Sequence, residues 1–263
     1  MKSIKLFNLS IKKKKIKKKI IDSILKNIDN TDFIKGKNVR LFEEKFKKII
    51  NSKYCISCNS GTDALFLILK SLDLKKNDEV ITTSNTWIST SEAIVNAGAK
   101  PIFVDVDEDF NINPSLIKKK ISKNTKAILV VHLYGLPCKM DQIMKICKKN
   151  KIKLIEDCAQ AHLSKYNNKY VGNFGIASAF SFFPTKNLGA FGDAGCVITN
   201  DLKLSKKLRM IANHGYKKKH FFEVNGVNSR MDTIQASILL EKLKYLKKDI
   251  SYKNKLAKIY YKN

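Results

Sequence analysis

The feature that most constrains this chain is a rhythm: short, almost uninterrupted apolar runs alternate with segments of helical spacing along most of its length. The pattern predicts strands over 54–57, 79–83, 102–106, 127–133 and 153–156, separated by helices over 63–72, 88–97, 114–121 and 141–149. Two more strands, 179–183 and 196–199, precede a helix over 201–213. A strand with one face in water alternates polar and apolar residues, whereas a run such as Ala127-Ile128-Leu129-Val130-Val131 is built to be covered on both faces. Repeated βα units of this kind give an α/β fold of three layers, with a mostly parallel sheet between helices. In such sheets ligands collect at the carboxyl ends of the strands.

The chemistry-bearing residues fall at those ends. Lys186 lies between the apolar run 179–183, closed by Pro184, and a reversal marked by Gly189, Gly192 and Gly195. A lysine on a loop at a strand end, inside the least charged stretch of the chain, is open to partial desolvation, which lowers its pKa and frees the amine to attack an aldehyde. Ser181, five positions earlier, is within reach of an anion beside it. Strand 54–57 runs into Asn59-Ser60-Gly61-Thr62-Asp63 and then a helix, a place where the amides of Gly61 and Thr62 serve equally well as a plain helix start or as a phosphate cradle. Asp157 follows strand 153–156, with Gln160 just beyond; the carboxylate is either a cap or the partner of a heterocyclic nitrogen. Trp87, the single tryptophan, follows strand 79–83 and either packs in the core or stacks on a flat ring.

Composition narrows the classes. The 263 residues hold 51 Lys+Arg against 23 Asp+Glu, a net charge of +28, but the lysines are scattered through nearly every predicted helix with no aromatic platform or nucleic-acid module among them. A solvated basic surface is the favoured reading, with no nucleic-acid partner, and the charge suits a phosphorylated or nucleotide-bearing substrate. The basic run Lys12 to Lys19 leads into Ile16, Ile20, Ile21, Ile24 and Ile28, a helical stripe read as a docking face rather than a membrane-surface helix. With no apolar stretch near ~18 residues and no signal-peptide core, the chain is expected to be cytoplasmic and without a membrane partner. Six cysteines fit that compartment, and the lone pair Cys55 and Cys58 is expected to be two buried small hydrophobes; no metal site is expected.

Taken in order, Gly61-Thr62, Trp87, Asp157, Gln160, Ser181 and Lys186 resemble the pyridoxal-phosphate sugar aminotransferases of the DegT/DnrJ/EryC1/StrS family. The resemblance extends from FIKGKNVRLFEEKF through NSGTDAL, DEVITTSNTWIST, PIFVDVDEDFNINP, IEDCAQAH and SFFPTKNLGAFGDAG to GVNSRMDTIQASIL. It implies the type I aminotransferase fold, a homodimer with sites at the subunit interface, and pyridoxal 5'-phosphate as cofactor. It further implies that Lys186 bonds the cofactor and later moves the proton, that Asp157 pairs with the ring nitrogen, that Trp87 stacks on the ring and that Gln160 contacts its hydroxyl side. Gly61, Thr62 and Ser181 would hold the phosphate, and Asn228 would reach the phosphate of the neighbouring subunit's cofactor. The implied reaction passes an amino group from a donor, L-glutamate, to a keto sugar on a nucleotide diphosphate, with C3 of a dTDP-linked 3-keto-6-deoxyhexose as the finer expectation. A related sugar dehydratase or lyase is the alternative enzyme, which Lys186 argues against because those dehydratases carry histidine there; a non-catalytic cofactor-binding remnant is the other. The expected division is an N-terminal helical segment (1–32), a cofactor-binding large domain (33–230) and a helix (231–263) leading toward a small C-terminal domain that is mostly missing.

Overall fold

The computed structural model describes residues 9–11 and 14–261; Lys12 and Lys13 of the basic run lie outside the described residues. Seven strands form one sheet in the order β1-β9-β8-β5-β4-β2-β3. They are β1 (Tyr54–Cys58), β2 (Glu79–Thr83), β3 (Lys100–Val104), β4 (Thr125–Val131), β5 (Lys153–Asp157), β8 (Ala177–Ser181) and β9 (Gly195–Thr199). Every neighbouring pair is parallel except the two that β9 makes with β1 and β8. The expected mostly parallel sheet is therefore present, with β9 the one reversed strand in it.

Period-two alternation explains why the strands read as continuous apolar runs. Val80, Leu129, Ile155, Ala179 and Val197 point to one face, where α3 (Gly61–Lys70), α4 (Ser89–Asn96) and α7 (Leu202–Ile211) bury Leu65, Ile68, Ile94 and Leu208. Their neighbours Ile81, Ile128, Val130 and Leu154 point the other way, onto α5 (Pro114–Lys120) and α6 (Met140–Asn150). On that same side, toward β8 and β9, α2 (Lys37–Ile50) and α8 (Thr233–Leu243) cover Cys55, Phe180, Cys196 and Ile198. Helix α2 forms because Val39, Phe42, Phe46 and Ile50 recur every three to four residues, and Asn51 ends it in the left-handed conformation (φ 60°). Phe46 meets Phe180 and Phe182 edge-on, each at 5.2 Å between centroids. Burying such a ring contributes about 2–3 kcal/mol.

Several boundaries differ from those read in the sequence. The run expected as strand 179–183 is laddered as Ala177–Ser181, and Phe182 is apolar because it packs on Phe42 and Phe46, not because it pairs. The expected last helix is two, α8 and α9 (Leu246–Tyr260), which part at Lys244–Tyr245. Two short hairpins, β6 (Lys165–Tyr166) with β7 (Lys169–Tyr170) and β10 (Tyr216–Lys218) with β11 (Phe221–Phe222), are too brief to show a periodicity.

The first helix, α1 (Lys14–Asp29), docks on α8: the Nδ2 of Asn27, itself buried, donates to Ser237 Oγ at 2.6 Å. Of its isoleucine stripe only Ile20 is fully buried, Ile16 and Ile24 are half-buried, and Ile21 and Ile28 remain exposed. Cys55 and Cys58 are buried free thiols in two different parts of the core, as small hydrophobes would be. Among the described residues no helix is long and apolar enough to cross a membrane.

Candidate active site

Residues 182–194 leave the sheet at the end of β8 and return to it at the start of β9, and they carry Lys186. The loop is tied at its neck, where the Phe182 amide donates to the Ala194 carbonyl and the Ala190 amide to the Phe182 carbonyl, each at 2.7 Å. Helices α8 and α9 hold it from outside. Gln235 Oε1 accepts from the Phe191 amide at 2.9 Å, Lys242 Nζ donates to the Gly189 carbonyl, and Lys253 Nζ donates to Asn187 Oδ1 at 2.7 Å. Gly189, Gly192 and Gly195 lie outside the left-handed region. They permit close approach: a Cβ on Gly189 would lie 2.3 Å from the Pro184 carbonyl, and one on Gly195 2.2 Å from the Ser60 carbonyl. Lys186 is half-buried, and that burial lowers its pKa below the ordinary lysine value although the Asp157 carboxylate acts in the opposite direction.

Asp157 ends β5 between β4 and β8 and is buried. Its Oδ1 accepts from the Ala159 amide at 3.0 Å and its Oδ2 from Thr90 Oγ1 at 3.1 Å. Burial still pushes its pKa above the usual carboxylate range, because those two hydrogen bonds and the charge of Lys186 offset only part of the desolvation. The site thus holds a carboxylate whose negative charge lacks a full counter-charge. A protonated ring nitrogen set against it would supply one.

The opposite end of the cleft is the start of α3. Ser60 caps the helix, accepting from the Asp63 amide at 3.0 Å, while the amides of Gly61 and Thr62 have no acceptor among the described residues. Gly61 is required there because a Cβ would stand 2.6 Å from Ser181 Cβ. Thr62 Oγ1 donates to Ser89 Oγ at 2.8 Å, and Ser181 Oγ accepts from the Phe183 amide at 3.3 Å, so the hydroxyl protons of Ser89 and Ser181 are left for an anion.

Seven of the eight residues singled out in the sequence line one cleft of about 300 Å³. Gly61, Thr62 and Ser181 form its anion end, Asp157 and Lys186 its ionisable floor, and Gln160 and Trp87 its rim. Trp87 is 74% exposed, which rules out the core-packing reading. Gln160 Oε1 accepts from the Tyr134 amide at 2.6 Å. Asn228 is not in the cleft. It is exposed and bridged to Asn213, and its neighbours Ser229 and Arg230 line a separate cavity of about 280 Å³ between α2, β1 and α7. Ser89 and Thr90 were missed in the sequence; their signal is weak, since each acts through a hydrogen bond to another side chain.

An anion end, a desolvated lysine and a buried carboxylate fit the phosphate, the aldehyde carbon and the ring nitrogen of pyridoxal 5'-phosphate, on the type I aminotransferase fold. The chain belongs to the DegT/DnrJ/EryC1/StrS aminotransferase family, whose model matches residues 14–263. It is 44% identical over 244 residues to the dTDP-3-amino-3,6-dideoxy-alpha-D-galactopyranose transaminase of Aneurinibacillus thermoaerophilus, covering 92% of this chain and 67% of that protein. It is 39% identical over 258 residues to the UDP-2-acetamido-2-deoxy-3-oxo-D-glucuronate aminotransferase of Pseudomonas aeruginosa, covering 98% and 72%. Among solved structures, a family aminotransferase from Brucella abortus superposes with a TM-score of 0.93 at 33% identity, over 98% of this chain and 72% of that one. NtdA from Bacillus subtilis, solved with the cofactor PMP, gives 0.84 at 34% identity, over 89% and 54%. The chain spans about two thirds of the length of the curated relatives it matches, from 63% to 72% in four of them.

Proposed function

We propose that this chain carries the cofactor-binding and catalytic residues of an aminotransferase that moves an amino group from an amino acid, L-glutamate, to a keto sugar carried on a nucleotide diphosphate. The observation that carries the reading is the pairing of a half-buried, pKa-lowered Lys186 with a buried, under-compensated Asp157 across one cleft from the free amides of α3. Relatives named for dTDP-linked and UDP-linked sugars support the substrate class, and the two different bases leave the nucleotide open. C3 of a dTDP-linked 3-keto-6-deoxyhexose is the finer reading.

In this reading the α3 amides, Ser89 and Ser181 hold the phosphate, and Trp87 covers the ring face. The cofactor, once bound, supplies a protonated ring that takes up electron density from the substrate carbon. Asp157 keeps the proton on the ring nitrogen by setting a negative charge beside it. Lys186 Nζ, its pKa lowered by desolvation, would accept a proton at one carbon and return it at another. Gln160 holds the Tyr134 turn at the rim. Asn228 lies outside the cleft of its own chain, and we assign it to the cofactor phosphate of a second copy in a homodimer.

The test is covalent. Borohydride reduction of the protein with pyridoxal phosphate should fix the label on the tryptic peptide containing Lys186, at a rate that rises with pH through a pKa below 10.5. Labelling spread over other lysines, or undiminished in Lys186→Ala, would sink the assignment. Histidine does not stand in place of Lys186, which disfavours the dehydratase reading.

A further inference from the structure

The end of β5 carries two adjacent carboxylates on opposite faces of the sheet, and only Asp157 lines the cleft. Glu156 is fully buried on the far side. Its Oε1 accepts from the amides of Phe174 and Gly175, each at 2.7 Å, and its Oε2 accepts from the Gly172 amide at 2.7 Å and faces His132 Nε2 at 3.2 Å. The turn that delivers those amides needs its glycines: Gly172 sits at φ 94°, and a Cβ on Gly175 would lie 2.3 Å from the Leu154 carbonyl. The tautomer of His132 follows from its other nitrogen. Nδ1 accepts from the Cys138 amide at 3.1 Å, so Nε2 bears the proton and donates to Glu156. Cys158 completes a buried trio whose ligand atoms lie within 4.8 Å of one another, but four donors occupy the Glu156 oxygens and an amide occupies His132 Nδ1, so these groups are spent on the protein and not on a metal.

The same histidine grips Asp157 through the backbone. The His132 amide donates to the Asp157 carbonyl at 3.1 Å, extending the β4–β5 ladder past Val131 and Asp157, while on the other side the Cys158 amide donates to the Ala179 carbonyl at 2.8 Å. Strand ends fray, and among the described residues the Asp157 side chain has only Thr90 and the Ala159 amide to aim it. We propose that His132 and Glu156 are positioning residues for Asp157: their buried hydrogen bond, braced by the 172–175 turn, locks the end of β5 and fixes the direction in which the Asp157 carboxylate meets the cofactor ring nitrogen.

The inference rests on the assignment of Asp157 above, and a double-mutant cycle tests it apart from that assignment. His132→Asn keeps an acceptor near the Cys138 amide but loses the donor to Glu156; His132→Gln carries an amide nitrogen toward Glu156. Cofactor affinity is read from quenching of Trp87, the single tryptophan, and single-turnover rate from the reaction of the loaded protein with L-glutamate. Melting of the cofactor-free protein checks folding. His132→Asn should weaken cofactor binding about tenfold and slow turnover about 100-fold, while His132→Gln recovers both to within about fivefold. In an Asp157→Asn background His132→Asn should change either quantity by less than about twofold. Equal cost with and without the Asp157 carboxylate, or no cost at all, would overturn the proposal. If His132→Asn does not fold, the same cycle is run with Glu156→Gln under the same criteria. Loss of Lys186 labelling in the unmutated protein refutes the functional reading instead, so the two failures are distinct.

Discussion

Replacing Asp157 by Asn separates charge from shape, since Asn keeps the size, its Oδ1 can still accept from the Ala159 amide, and its Nδ2 can donate to Thr90 Oγ1, whose own proton then turns to Thr86. With the cofactor bound, the change deletes a buried negative charge beside the ring nitrogen. At an effective dielectric constant of about 20, two unit charges about 4 Å apart attract by about 4 kcal/mol, which is about three orders of magnitude at about 1.4 kcal/mol per decade. Stopped-flow absorbance of the half-reaction with L-glutamate should therefore slow by about 1,000-fold at saturating cofactor. The cofactor-free protein should respond in the opposite sense. Because burial holds the folded-state pKa of Asp157 above its unfolded value, ionising it costs stability as pH rises from about 4 through that raised pKa. Asp157→Asn removes this cost, so the variant without cofactor should melt no lower than the parent, and its relative advantage should grow with pH across that window. An unchanged half-reaction rate, or a loss of stability that follows the loss of rate, would show the carboxylate to be a structural cap for the 158–160 turn and refute the reasoning.

Two further substitutions test the frame around the cleft. Gly61→Ala places a methyl group 2.6 Å from Ser181 Cβ, so the start of α3 must shift; cofactor affinity by Trp87 quenching should fall at least about tenfold, and normal affinity would mean that these amides do not hold the phosphate. Phe46→Ala removes a fully buried ring from between Phe42, Phe180 and Phe182 and should cost about 3–5 kcal/mol in urea unfolding; a cost under about 1 kcal/mol would show that α2 is not needed to cover β8 and β9.

The fold class was legible because Val80-Ile81, Ile128-Leu129 and Leu154-Ile155 each send one side chain to either face of a covered sheet, and such pairs can only read as apolar runs. The direction of β9 was not, since Cys196 to Thr199 carries the same apolar signal whichever way it runs. Helix α2 left a usable signal at Val39, Phe42, Phe46 and Ile50, obscured by the lysines and glutamates between them. In the cleft, Lys186, Asp157 and Gly61 announced themselves by standing at strand ends or a helix start. Thr90 and Ser89 did not, because their roles are bonds to Asp157 and Thr62, 67 and 27 residues away in the chain. Glu156 shows the limit most plainly. In the sequence it is the last residue of an apolar strand, and its three amide donors come from residues 172–175, which carry no pattern that points back to it.

The reversal of β9 is what allows one short segment to present the lysine. A parallel neighbour of β8 would require the chain to cross the whole sheet before pairing again, and the segment leaving the cleft would return at the opposite edge. Because β9 runs antiparallel to β8, with Ser181 opposite Gly195, residues 182–194 leave and re-enter the sheet on the cleft side. Both of its ends are then fixed by the ladder, and its middle is held by Gln235, Lys242 and Lys253 from α8 and α9. The reversed strand also brings Gly195 beneath the Ser60 carbonyl, where no side chain fits, so the lysine loop and the start of α3 pack directly against each other. The lysine end and the α3 end of the cleft are therefore set by one contact between backbones, and a shift in β9 would move both together.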